Sequence, residues 1–556
     1  LEHLLGAGPV IAALLDGLPE LRVLVTSQSP LRVAAEFCLP LDAVDDDAAL
    51  ALVERVARRR GATLSAEDVD RAALLDVVHL LDGLPLALKL VAARLAVLSP
   101  IQLRERLADS VDLVEDAVTE RPERQRSLLA TVEWTLHALD PGPRALFTRM
   151  GAFAGPVELE EIESVAGGDG LDVLDALAVL LDVALARRLE SGDGRIRFGL
   201  PEALRRIAAS LLDETSDGQR WRRAHAQRQR DLLWAAPIWL SASGPLEKAL
   251  AADGEAAAAL RWARERRDPL AGQLGAARAG LLAESGRVRE ALTVLEPLLE
   301  NQSGDPAVDA RALFAHALAL TVVDQLDNAL ASAEQAVAIA SDPMTRALAL
   351  GQRSIVLTYC GEHEAAVRDS EESAAIATAL GPAALSGALL FAAQAHLVAG
   401  DLSRAAEQLT EAERVGAPAD ASKLRAADTL HGDIALASGH PRDSLEHYAK
   451  SLEGAQAREE QLQVLFDLLG IATALARLRD DTEALEVAGL AAAQGADIGG
   501  PSVSTATHLL GDGALAAAEA RVGSVRAAEL NARGCAVPAA ARVARACQLA
   551  RLRQLV

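Results

Sequence analysis

Leu80-Leu81-Asp82-Gly83-Leu84-Pro85-Leu86-Ala87-Leu88-Lys89-Leu90 is the stretch on which the reading of this chain turns. Asp82-Gly83 ends one helix. Pro85 falls where a first-turn proline is tolerated, because its missing N–H would have no partner there anyway. Leu86, Leu88, Leu90, Val91 and Leu95 run on into a second helix. The segment therefore reads as a tight helix–turn–helix joint from which a rigid proline projects.

Upstream, Leu1 to Leu18 reads as a helix and Leu21-Arg22-Val23-Leu24-Val25-Thr26 as one buried strand. An apolar strand of this kind belongs in a parallel sheet covered on both faces. No partner strand follows nearby, so the partners are expected upstream of Leu1. Thr26 and Ser27 stand just past the strand end, where ligands bind in open parallel sheets, and their hydroxyls can bond a phosphate or an attacking water. Around the joint itself, helices at about Asp46–Arg60, Ala66–Leu81 and Leu86–Leu98 are amphipathic by spacing and make a helical lid. Downstream, helices are expected at about Gln125–Leu139, Gly142–Phe153, Glu158–Val165 and Leu171–Leu185. A hairpin, Arg187–Glu190 and Arg195–Gly199 around a glycine-rich turn, comes next, and a last helix follows Pro201.

From about residue 271 the chain is periodic. The turn residues Gly286, Asp324, Gly361, Gly400, Gly439 and Asp480 are separated by 38, 37, 39, 39 and 41 positions. Seven residues before each turn stands a small or β-hydroxyl residue: Ala279, Ala317, Ser354, Ala393, Gly432 and Thr473. Five residues after the first five turns stand Ala291, Ala329, Ala366, Ala405 and Ser444. Small residues let two helices close tightly, and the turns break the chain between them. This is the pattern of a tetratricopeptide-like array of helical hairpins.

Composition agrees with a mainly helical chain of several domains. Of the 556 residues 51% are hydrophobic but only 3% aromatic, which favours close-packed alanine- and leucine-rich helices over β-sandwiches. The net charge of −24 argues against a large non-specific nucleic-acid footprint. Cys38, Cys360, Cys535 and Cys547 show no metal or redox spacing and read as reduced thiols of a cytoplasmic protein. The uncharged run from Ser373 to Gly400 is long enough for a membrane span, but Gly381-Pro382 breaks it into two packed helices.

Gly-Leu-Pro-Leu-Ala at residues 83–87 resembles the GLPL motif of NB-ARC-type STAND signalling ATPases, with Thr26-Ser27 resembling the family's phosphate sensor and Arg124 to Phe153 its winged-helix segment. The order of parts is similar to that of the C-terminal region of bacterial, often actinobacterial, ATPase regulators that join this module to a tetratricopeptide sensor. The resemblance implies a mainly α fold with a remnant of a P-loop α/β nucleotide-binding domain at 1–40, the GLPL lid at 41–120 and the winged helix at 121–215. A helical connector at 216–270, a tetratricopeptide-like α-solenoid at 271–481 and a helical cap at 482–556 complete it. The implied cofactor is ATP or ADP with Mg, met by Thr26, Ser27, Gln28, Gly83, Leu84 and Pro85, the proline lying against the nucleotide. Two positions depart from the family pattern. Gln28 stands where an arginine usually partners the γ-phosphate, and Leu200-Pro201-Glu202 replaces a Met-His-Asp motif.

No G-x-x-x-x-G-K-[ST] occurs, and Leu1-Glu2-His3-Leu4-Leu5 resembles the residues just after the family's magnesium-binding aspartate. No catalytic triad or metal-ligating cluster stands out. The expectation is a nucleotide-dependent signalling and transcription regulator. A protein or small-molecule inducer would bind the concave face of the repeats, self-association is a further expected contact, and neither nucleic acid nor membrane is met by this chain directly. The alternatives are the regulatory region of a multidomain enzyme such as a nucleotide cyclase, or a passive scaffold.

Overall fold

In the computed structural model the described residues are 8–18, 21–23, 36–37, 44–59, 68–81, 83, 85–109, 132, 135–137, 139–190, 194–235, 248–416, 427–457, 460–499 and 513–551. They form two compact units, Leu1–Arg228 and Gln229–Val556. Among the described residues the structure is helical apart from one two-stranded sheet.

The first unit opens with α1 (Gly8–Gly17), α2 (Asp46–Arg59), α3 (Asp68–Leu80), α4 (Pro85–Ala92), a 3-10 turn at Ala93–Ala96 and α5 (Pro100–Asp109). Helix α2 shows why these segments are helical. Asp46 and Asp47 lie in its first turn and Arg58 and Arg59 in its last, each sign complementing the helix dipole. Its buried stripe is Ala49, Leu50, Leu52, Val53 and Ala57. The strand expected at Leu21–Thr26 is not formed at Leu21–Val23. Leu21 and Val23 are 38% and 46% exposed, and among the described residues no second strand lies beside them to share a ladder. Leu24, Val25 and Thr26 lie outside the described residues.

The winged helix follows: α6 (Pro141–Met150), α7 (Leu159–Ala166), α8 (Val173–Asp182), β1 (Arg187–Glu190), β2 (Ile196–Gly199) and α9 (Glu202–Glu214). The strands pair antiparallel from Arg187 opposite Gly199 to Glu190 opposite Ile196. A bridge from Val157 to Phe198 ties the hairpin to the segment before α7. One hydrophobic core runs through lid and winged helix together, from Leu50, Val53, Val77, Leu88 and Leu103 to Leu146, Phe147, Ile162, Leu177 and Ile207. Helix α10 (Gly218–Ala235) comes next, and the division between the units falls within it.

The second unit holds α11 (Asp253–Arg266) and six antiparallel pairs. They are α12 (Leu270–Glu284) with α13 (Val288–Glu300), α14 (Pro306–Val322) with α15 (Leu326–Ile339), and α16 (Pro343–Tyr359) with α17 (His363–Thr378). Then come α18 (Pro382–Val398) with α19 (Leu402–Gly416), α20 (Ala427–Ala437) with α21 (Pro441–Ala457), and α22 (Gln461–Arg477) with α23 (Asp481–Ile498). The turns are left-handed at Gly286, Asp324, Gly361, Gly400 and Gly439. In the sixth pair the left-handed residue is Arg479 rather than Asp480, whose φ of −90° is ordinary.

The small-residue register holds in detail. Ala279, Ala317, Ser354 and Ala393 are fully buried, as are Ala291, Ala329, Ala366, Ala405 and Ser444. The Ser354 hydroxyl donates to the Ala366 carbonyl at 2.8 Å, so the position seven before a turn touches the position five after it. The run from Ser373 to Gly400 is divided as read, with Gly381 at φ +109° and Pro382 opening α18. The chain closes with α24 (Ala514–Val522), α25 (Ser524–Cys535) and α26 (Ala539–Arg551). Helix α25 lies backbone to backbone on α23, where a Cβ on Gly489 would sit 2.2 Å from the Asn531 carbonyl and one on Gly534 2.1 Å from that of Glu486.

Candidate functional site

Gly83 makes the lid joint. Its φ of +62° turns the chain out of α3, its N–H donates to the Val78 carbonyl at 3.1 Å, and its own carbonyl accepts from Val44 N–H at 3.4 Å. The joint thus also pins the residue leading into α2. Pro85 then opens α4 and is exposed, while Ala87, Leu88, Val91 and Ala92 of the same helix are buried. The structure so presents a fixed proline ring at the surface of a packed joint. Thr26, Ser27, Gln28 and Leu84 lie outside the described residues.

The winged helix is braced by side chains that sequence reading did not connect. Trp221 is 5% exposed, with the Arg149 guanidinium 3.9 Å from its ring centroid and that of Arg220 4.6 Å. Asp169, held left-handed at φ +55°, pairs with Arg149 at 2.9 Å and Arg220 at 3.2 Å. Burial lowers the Arg149 pKa from its ordinary value. Arg205 and Arg206, the natural candidates for reading DNA, are both committed to Glu202, at 2.6 and 3.0 Å. Arg206 also donates to the Leu107 carbonyl of α5. Helix α8, which precedes the wing and would enter a groove in a DNA-reading winged helix, reads Val-Leu-Asp-Ala-Leu-Ala-Val-Leu-Leu-Asp and carries no basic or amide side chain.

The array contains a buried polar centre. Tyr448 of α21 is fully buried between Gly432 of α20 and Gly470 of α22, and its hydroxyl donates to Asp433 at 2.6 Å. Asp467 of α22 is also fully buried; it accepts from Thr429 at 2.6 Å and from Gln463 at 3.3 Å. Burial pushes Asp467 up to about 8 and Asp433 up to about 6. No local sequence signal announces this centre, because it joins three separate helices and Gly432 and Gly470 meet Tyr448 only in the fold. Among the described residues no cluster of three or more His, Cys, Asp or Glu is placed to hold a metal, and no helix is long and apolar enough to cross a membrane.

A helical lid and winged helix on one core, followed by tetratricopeptide-like hairpins, define a multidomain helical protein. Residues 139–216 match the model of the winged helix-turn-helix domain. The chain is similar to a candidate HTH-type transcriptional regulator of Mycobacterium tuberculosis, 31% identical over 365 residues, covering 61% of this chain and 40% of the relative. It is also 34% identical over 225 residues to an uncharacterized protein of Mycobacterium bovis, covering 39% of this chain and 56% of that one. The chain therefore spans about half the length of these relatives or less. Among solved structures it is similar to the STAND protein with a tetratricopeptide repeat sensor from Pyrococcus horikoshii, at 14% identity and a TM-score of 0.40, covering 89% of this chain and 75% of that one. The winged-helix match bears out the winged-helix part of the resemblance, the hairpin array is its helical-repeat part, and the mycobacterial relatives include one named as an HTH-type transcriptional regulator.

Proposed function

We propose that the chain is the coupling and sensing region of a nucleotide-controlled transcription regulator of the STAND type. The observation that carries this reading is the exposed Pro85 on a joint fixed by Gly83, set into the same core as the winged helix. A ring held at that place can lie on a nucleotide base or ribose, and the shared core would pass a shift of the joint to the winged helix. The nucleotide is ATP or ADP with magnesium, its phosphates held by a loop elsewhere in the parent protein. Thr26, Ser27, Gln28, Gly83, Leu84 and Pro85 are the contacts proposed from this chain. The hairpin array takes the inducer, a protein or a small molecule, and the parent works in the cytoplasm.

On this reading the winged helix is a coupling module rather than the DNA reader. The acidic and apolar composition of α8 and the pairing of Arg205 and Arg206 with Glu202 support that assignment. The test is Pro85→Ala in the full-length parent. Nucleotide retained per folded molecule should fall while the melting temperature hardly moves. An unchanged nucleotide content with a collapsed melting temperature would make the proline a structural residue only.

A further inference from the structure

The turns of the array are chemically alike but not equally free. At Gly361, Gly400 and Gly439, with φ of +81°, +85° and +81°, an added Cβ would meet nothing within 4 Å. At Gly286, with φ +88°, it would lie 3.1 Å from Gln461 Cβ, 3.2 Å from the Leu462 backbone nitrogen and 3.4 Å from Ile498 Cγ2. Those atoms belong to the open end of the sixth hairpin, so the turn of the first hairpin is seated on the sixth. The contact is reciprocal. Gly499, left-handed at φ +96°, ends α23, and a Cβ there would lie 2.8 Å from Arg289 Nε of α13.

Both sides of this seat are braced. On the first hairpin, Arg287 donates to Asp253 of α11 at 2.6 Å, and Arg278 of α12 holds the same carboxylate at 2.7 Å. Asp253 is almost fully buried, and its pKa lies below the ordinary value because hydrogen bonds from Arg278 and Arg287 outweigh its burial. On the sixth hairpin, Gln494 donates to the Gln461 side chain at 2.8 Å, and Arg542 of α26 holds Gln494 and Asp497.

In a linear array each hairpin touches only its neighbours, and stability is a sum of hairpins and adjacent interfaces. The seat is a term of another kind, joining first to sixth. It consists of one turn and Arg289 against the start of α22 and the end of α23, whereas neighbouring hairpins share long alanine and leucine seams. Releasing it leaves every hairpin and every adjacent interface intact. We propose that the seat is a latch: it closes the array end to end, opens as a unit, and is tied through Arg287 and Asp253 to α11, the helix that precedes the array. The inference stands on the array's own geometry and does not require nucleotide.

The experiment is hydrogen exchange on the full chain. Gly286→Asn keeps a residue that tolerates the left-handed backbone but puts its side chain into Gln461 and Leu462. Exchange at residues 461–465 should rise roughly ten-fold or more, although the mutation is 175 positions away (461 less 286). Gly361→Asn and Gly400→Asn impose the same backbone demand in open space and should leave 461–465 unchanged. The latch is refuted if Gly286→Asn leaves 461–465 protected, or if the two control variants expose it equally. Should Gly286→Asn fail to fold, Arg287→Ala adds no bulk and removes the tie to Asp253 together with the exposed pair to Glu290. A rise at 461–465 in that variant supports the latch, and no rise overturns it.

Discussion

Replacing Gly470 by Ala should destabilise the array, against the ordinary rule for a helix interior. In an open helical site the change gains up to about 1 kcal/mol of helix propensity. In α22 the new methyl would lie 2.5 Å from Cε1 and Cζ of Tyr448 and 2.8 Å from Cε2. The ring cannot slide away, because Gly432 stands on its other side, with a Cβ position 2.7 Å from Cε1, and the hydroxyl is held by Asp433 at 2.6 Å. Overpacking of this kind costs about 1–3 kcal/mol, and a shifted ring also weakens the bond to Asp433 by about 1 kcal/mol or more. The clash therefore outweighs the propensity gain, for a net loss of about 1–3 kcal/mol. Hydrogen exchange in α20 to α22 should speed up roughly five- to 150-fold, since 1.4 kcal/mol is a factor of ten. Gly254→Ala in α11, where nothing lies within 4 Å, serves as the control and should be neutral or slightly stabilising. Adding Tyr448→Leu to Gly470→Ala should show a favourable coupling, because the smaller side chain frees the space. If Gly470→Ala protects α20 to α22 as well as wild type does, the packing of Tyr448 between two helices is not as described.

Asp467 gives a pH dependence of defined sign. Its folded pKa of about 8 lies above that of an unfolded Asp, so the native state binds the extra proton and loses stability as pH rises from about 4 to about 8. Asp467→Asn should remove that slope and raise the urea midpoint most near pH 8; parallel slopes in wild type and variant would contradict this. Ala366→Leu should cost about 1–3 kcal/mol, because Ala366 is fully buried and its carbonyl accepts from Ser354. Glu407→Ala on the exposed face of α19 should change stability by less than about 0.5 kcal/mol, and equal effects of the two in urea titrations would place the hairpin register wrongly. Fluorescence anisotropy with duplex DNA should show only weak, salt-sensitive binding by this chain, while sequence-selective binding at physiological salt would assign α8 a reading role.

What the sequence made legible was whatever a short window can carry. Gly83 before Pro85 announced a helix stop and start, and the structure has both, with α4 then tightening into a 3-10 turn at Ala93 instead of running on to Leu98. The array was legible because its register is local, with the residue seven before the turn meeting the one five after. The sixth turn misled by one position, since an aspartate looked like the turn residue while Arg479 takes the left-handed backbone. The strand at Leu21 was misread at its first three residues because strand formation depends on a neighbour that no local pattern supplies. Of the proposed nucleotide contacts, only Gly83 and Pro85 fall among the described residues, and the turn and helix start that they make are as visible in sequence as in structure. The brace at Trp221 and the centre at Tyr448 were not legible, because each needs three segments whose proximity is a tertiary fact.

The glycines of the array show where sequence reading stops. Gly286, Gly361, Gly400 and Gly439 hold one place in the repeat, and all four take the same left-handed conformation. Turn chemistry alone predicts that they are equivalent, and for three of them it is sufficient, since open space surrounds them. Gly286 is needed a second time, for the closeness of Gln461 and Leu462. Gly432 and Gly470 are helical glycines that propensity counts as a cost, yet each gives up its side chain to a face of Tyr448. In each case the missing Cβ is filled by a group far away in the chain. A repeat fixes what its positions share; the positions that depart in use, at the first turn and around Tyr448, are where this array can do something that a plain stack of hairpins cannot.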